Sequence, residues 1–131
     1  MTAPLIKAPL PGHAGTNLYN APVYRGSIVI GSSGAITSQR GGFVTVTNTG
    51  TGVYLFTFQG KWGYHTGVSA RSFAASNVPL DGQVTTDALA TAGTLEITMR
   101  NPSGTATNPA SGQSISWTIS LSDHPRNPAR T

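Results

Sequence analysis

Nine residues, Ser114 to Ser122, alternate without a break. Ile115, Trp117, Ile119 and Leu121 fall on one face, and Ser114, Ser116, Thr118, Ser120 and Ser122 on the other. Successive side chains of a strand point to opposite faces, so this run predicts one buried face and one wet face. Burial on one side only is the mark of an antiparallel sheet. Leu95, Ile97 and Met99 repeat the pattern against Thr94, Glu96, Thr98 and Arg100.

Residues 43 to 58 predict a hairpin. Phe43-Val-Thr-Val-Thr-Asn and Val53-Tyr-Leu-Phe-Thr-Phe flank a Thr-Gly-Thr-Gly connection. Strand formers on both sides of glycines that tolerate φ > 0 are the usual hairpin signature. In the second run Tyr54, Phe56 and Phe58 share one face, and Val53, Leu55 and Thr57 the other. Neither face is properly polar. Both are expected to be covered, one by the core and one by another copy, which predicts a homo-oligomer, a homotrimer by preference.

The remaining segments are shorter. Ser27 to Ile30 reads as a buried strand, and Gly31 to Gly34 as a turn. Ala35 to Arg40 reads as a weaker strand that Gly41-Gly42 ends. Residues 59 to 64 form a tight connection, 65 to 73 a strand, and 77 to 82 a loop around Pro79 and Asp81-Gly82. Gln83 to Ala90 is strand or helical turn. Asp87 to Ala92 is the one helix-friendly piece, marginal at that length. Asn101 to Gln113 is a long polar loop. The count comes to about seven to eight short strands. The expected fold class is all-β, an antiparallel β-sandwich or barrel, jelly-roll-like, with an extended N-terminal arm.

Three regions follow along the 131 residues: an arm over 1–24, a β-domain over 25–122 and a polar tail over 123–131. The arm holds Pro4, Pro9, Pro11 and Pro22. Proline lacks the N–H of a sheet ladder and biases its predecessor to extended geometry. Leu5, Ile6, Leu10, Leu18 and Tyr19 punctuate this arm. They are candidate contacts to a capsid or to a neighbouring subunit; the alternative is an arm folded back on its own domain. Trp62 and Tyr64, beside Gly60 and Gly63, read as a cap on the end of a barrel, as a subunit interface or as an exposed aromatic tip.

Charged residues make up only 9% of the chain, against about 25% in an ordinary soluble domain. The net charge is +4, yet the eight basic residues are scattered from Lys7 to Arg130 with no run among them. Such scatter predicts no nucleic-acid partner. There is no cysteine, so no disulfide framework and no cysteine metal site. Neither a signal peptide nor an apolar stretch of membrane length is present, and no membrane partner is expected.

Catalytic signals are sparse. The acids are Asp81, Asp87, Glu96 and Asp123, and the histidines are His13, His65 and His124. No histidine pair has metal-ligand spacing, so no metal or cofactor is expected. A Ser-His-Asp arrangement can be written on paper with His65 and Asp87, but serine is too abundant for this to carry weight. No catalytic residue is assigned, and the chain is not expected to be an enzyme.

Arg25 to Thr47 with Val53 to Phe58, then Ala90 to Thr98 with Asn108 to Ser122, resemble small structural proteins from the virion gene clusters of tailed bacteriophages. The resemblance covers residues 25 to 122. Its motifs are Gly/Thr/Ser-rich strands and turns. It implies a virion component, first of all a capsid decoration (cement) protein on the outer surface of the head. Such a protein is made in the bacterial host cytoplasm, binds the major capsid protein and its own copies, and carries no catalytic residues. The alternative is a head- or tail-fibre module that touches the host surface.

Overall fold

The computed structural model describes residues 21–123. Eight strands form one antiparallel sheet: β1 (Val23–Ile30), β2 (Ile36–Arg40), β3 (Val44–Gly50), β4 (Val53–Phe58), β5 (Tyr64–Phe73), β6 (Pro79–Ala88), β7 (Thr94–Arg100) and β8 (Ser114–Ser122). Their spatial order is β2-β1-β8-β5-β6-β7-β4-β3. Within it β8 returns beside β5, which starts a meander through β6 and β7, and these four strands make a Greek key. The protein is therefore all-β, and of sandwich and barrel it takes the barrel form, with one nearly closed sheet.

Alternation dictates the core. Ile28 and Ile30 of β1, Val44 and Val46 of β3, and Tyr54, Phe56 and Phe58 of β4 are buried. So are Leu95, Ile97 and Met99 of β7 and Ile115, Trp117, Ile119 and Leu121 of β8. Trp117 is buried within the core, and its ring meets Phe56 edge-on at 5.2 Å. Gly26 lies opposite Trp117 in the β1–β8 register. A Cβ there would stand 2.6 Å from the indole, so the absence of a side chain makes room for the ring.

The hairpin of β3 and β4 is in place, with Val46 opposite Phe56. On the outer face of β4, Val53 and Leu55 are half-buried and Thr57 is exposed. Several boundaries differ from the sequence expectation. Phe43 precedes β3 in a turn, with φ 68, rather than opening the strand. Val23 and Tyr24, assigned to the arm, belong to β1 and pair with Ser120 and Ile119. Pro79 to Gly82, read as loop, starts β6, and Asp87-Ala88 ends it as strand, not helix. Pro79 sits at the first position of its strand, where a missing N–H costs the ladder least.

Since every pair is antiparallel, the loops gather at two ends. The near end carries the start of β1, the β2–β3 turn and the β4–β5 and β6–β7 connections. The far end carries residues 31–35, 74–78 and 101–113. Tyr54 reaches the far end from inside and its hydroxyl donates to the Gly34 carbonyl at 2.8 Å. Burial pushes the Tyr54 hydroxyl up to about 12. Asn108 joins the same plug, its Oδ1 accepting the Gly52 N–H at 2.7 Å.

Candidate functional site

Two places in the barrel wall lack a complete ladder. The first is the seam between the edge strands β2 and β3, which are not paired with one another. Gln39 bridges it as a peptide group would. Its Nε2 donates to the Val46 carbonyl at 2.7 Å, and its Oε1 accepts the Val46 N–H at 3.0 Å.

The second lies between β5 and β6. Their ladder holds only Arg71–Asp81, Ser72–Leu80 and Phe73–Pro79. Beyond this, β5 follows β8 as far as Tyr64, while β6 follows β7 as far as Ala88. Each strand carries a bulge in the stretch that parts, β5 between His65 and Gly67 and β6 between Val84 and Thr86. A bulge bends its strand and re-aims the side chains after it. Here the register places His65 opposite Leu121 and Asp87 opposite Leu95, both core residues. Both therefore lie on the inward face of their strands. His65 Nδ1 and Asp87 Oδ2 meet at 3.0 Å across the split, each about 30% exposed. Asp87 Oδ1 also accepts the Leu89 N–H at 3.0 Å. The structure thus supplies the His–Asp half of the arrangement written on paper, and its visible work is to tie two diverging strands together.

At the near end the rings of Tyr24, Phe58 and Trp62 cluster. Tyr24 lies 5.5 Å from Phe58 and 6.4 Å from Trp62, the latter edge-on at 76°. Burial raises the Tyr24 hydroxyl above its ordinary value. Trp62 is half-buried against the core, and its backbone N–H donates to the Leu89 carbonyl at 3.0 Å. Its indole N–H is buried and has no partner among the described residues. Tyr64 opens β5 opposite Ser122 and is half-buried. Trp62 is accordingly a plug for the barrel end rather than a free-standing tip. Leu5, Ile6, Leu10, Leu18 and Tyr19 lie outside the described residues.

No protein-family model, curated protein or solved structure matches the chain.

Among the described residues three large apolar side chains are exposed: Phe43 at 70%, Val23 at 51% and Phe73 at 46%. Phe43 and Val23 share the near end. The turn before Phe43 folds onto β1, where a Cβ on Gly41 would lie 2.6 Å from the Arg25 carbonyl oxygen. Phe43 is also held at φ 68, a region that bulky residues rarely occupy. Sequence reasoning passed over both residues, placing Val23 in the arm and Phe43 in the hairpin. The Gly41-Gly42 pair was the available signal, since it marks a turn whose last residue need not enter the sheet. Among the described residues no three His, Cys, Asp or Glu side chains gather as a metal set.

Proposed function

We propose that this chain is a tailed-bacteriophage virion structural protein. Specifically, it is a capsid decoration protein that binds the outside of the head and stabilises contacts between neighbouring capsomers. Its partners are the major capsid protein and its own copies, as a homotrimer, and its role is not catalytic. The resemblance over residues 25 to 122 supplies the class. The observation that carries the attachment is Phe43: among the described residues the most exposed large apolar side chain, set on a left-handed turn residue, at the end of the barrel where β1 begins. A large aromatic presented at backbone cost, with Val23 beside the same end, suits an anchor. The fibre alternative drew on Trp62 and Tyr64 as an exposed tip. Both are half-buried, so the attachment is assigned to Phe43 instead.

The test uses heads that lack the protein. Phe43→Asn keeps a residue that tolerates the left-handed region and removes the ring. Burying a phenylalanine contributes about 1.5–3 kcal/mol, so each copy should bind roughly 10- to 100-fold more weakly. The far-UV circular dichroism of the variant should match the parent. Unchanged decoration by Phe43→Asn would remove the anchor, and failure of the parent chain to bind heads at all would remove the capsid reading.

A further inference from the structure

The basic residues are scattered along the chain, but the fold brings three of them to one outer face. β2, β1, β8 and β5 lie side by side, and Ile28, Trp117, Ala70 and Ser72 take buried positions on the inner side. The alternate positions face outward. Arg40, Ser27, Ser116 and Arg71 form one row across the four strands, each opposite the next in register. Arg25, Thr118 and Ser69 form the adjacent row, two residues closer to the near end. All three arginines are exposed, and only serine and threonine side chains stand between them, so the face is flat. From Arg40 to Arg71 is three strand spacings, about 14 Å. Val23 precedes Arg25 by two residues on the same side of β1, and Phe73 follows Arg71 by two on the same side of β5. Phe43 stands in the turn that follows Arg40. The three exposed apolar residues named above therefore all border the arginines.

Little neutralises this face. The chain has four acids, Asp81, Asp87, Glu96 and Asp123, and all lie among the described residues. Asp87 is held by His65, and Glu96 Oε1 accepts the Thr85 hydroxyl at 3.0 Å on the β6–β7 half of the barrel. Asp81 alone meets an arginine of the face, its Oδ1 3.5 Å from Arg71 Nε, with the two side chains 78% and 74% exposed. So exposed a pair contributes little, and Arg71 can exchange Asp81 for another carboxylate at small cost. Arg25 and Arg40 make no ion pair among the described residues. Residues 1–20 and 124–131 contain no Asp or Glu that could supply one.

The chemistry of the partner follows. An arginine fork matches a carboxylate bidentately, and arginine beside exposed aromatic rings is the composition of protein–protein interfaces. Nucleic acid is the poorer fit. A bound strand presents a longer series of phosphates, and three arginines, one shared with Asp81, answer few of them. We infer that the outer face of β2, β1, β8 and β5 docks on an acidic protein surface, Arg25, Arg40 and Arg71 pairing with its carboxylates while Phe43 and Phe73 pack at the margins. The inference rests on the capsid reading only for the identity of that protein, which is then the head. Charge pairs at an exposed face steer the encounter and are screened by salt, so the docking is salt-dependent.

The full-length chain is measured against immobilised polyglutamate, against a single-stranded oligonucleotide and against heads that lack the protein. Arg25→Gln and Arg40→Gln are made singly and together. Lys61→Gln, on the exposed β4–β5 connection, removes one charge outside the face and is the control. Each arginine variant should bind polyglutamate about three- to fivefold more weakly than the parent at low salt, and the pair about tenfold, with Lys61→Gln close to the parent. Salt at about 0.5 M should erase the differences. Every variant is checked for the parent's circular dichroism. Arginine variants that bind polyglutamate no more weakly than Lys61→Gln would overturn the inference. Tighter binding of the oligonucleotide than of polyglutamate would do the same. Heads separate the two readings. Decoration that ignores both salt and the arginines overturns the inference and leaves the capsid reading standing. Arginine-dependent binding to polyglutamate without any binding to heads supports the inference and removes the capsid reading.

Discussion

Removing the Tyr54 hydroxyl separates two effects that act in opposite directions as pH rises. Tyr54 is fully buried and donates to the Gly34 carbonyl at 2.8 Å. In Tyr54→Phe that carbonyl loses its buried donor, at a cost of about 1.5 kcal/mol near neutral pH. The intact hydroxyl, however, is held in its protonated form by burial, which places its pKa at about 12 against an ordinary value of 10. A group whose pKa is raised by folding contributes stability that is fully present below its unfolded pKa and is lost as pH climbs through the folded one. The window is thus pH 10 to 12, where a two-unit shift is worth about 2.7 kcal/mol. About 1.9 kcal/mol of this is gone by pH 11.5. The parent chain should therefore exceed Tyr54→Phe by about 1.5 kcal/mol at neutral pH, and fall to rough parity or slightly below it by pH 11.5. Urea unfolding of both chains at a series of pH values measures the difference directly. Tyr24, whose hydroxyl burial also raises, is present in both chains and drops out of the comparison. A difference that stays constant from neutral pH to 11.5 would refute the link between burial of the hydroxyl and alkaline stability.

Other substitutions probe the two openings in the wall. Gln39→Ala removes both bonds across the β2–β3 seam and should lower stability by about 1–2 kcal/mol in urea unfolding. Light scattering should show more self-association with concentration, because the β3 edge is then bare. Gly82→Ala forces a methyl group to within 2.7 Å of the Ala70 Cβ and 2.8 Å of Ile97 Cγ2. It should cost about 1–3 kcal/mol, and an unchanged urea midpoint would mean the packing beside the β5–β6 ladder yields easily. Addition of EDTA should leave the melting temperature where it was, since no metal set is formed among the described residues; a fall would reveal a bound ion.

Local pattern determined the strands whose partners face a single core. Ser114 to Ser122 and Thr94 to Arg100 could be read directly, because a period of two with large apolar residues on one side leaves no other regular structure to form. The β3–β4 hairpin was legible for the same reason, with its turn glycines to set the reversal. Elsewhere the sequence was silent or misleading. Asp81-Gly82 carries a turn signal, yet it lies within β6, because the ladder with Met99 and Arg100 outweighs the local preference. Phe43 looks like a strand residue, and only the closure of the β2–β3 turn onto Arg25 and Gly26 puts it outside the sheet. The pairing of His65 with Asp87 depends on two bulges in strands that are neighbours through β8 and β7 as much as through each other. The side-chain bridge from Gln39 to Val46 exists only because the sheet curls until its first and last edges meet. Strand formation is a local preference recorded in every second residue. Which strands pair, where they part and what remains exposed are long-range outcomes of ladder bonding and core packing, and those the tertiary structure alone decided.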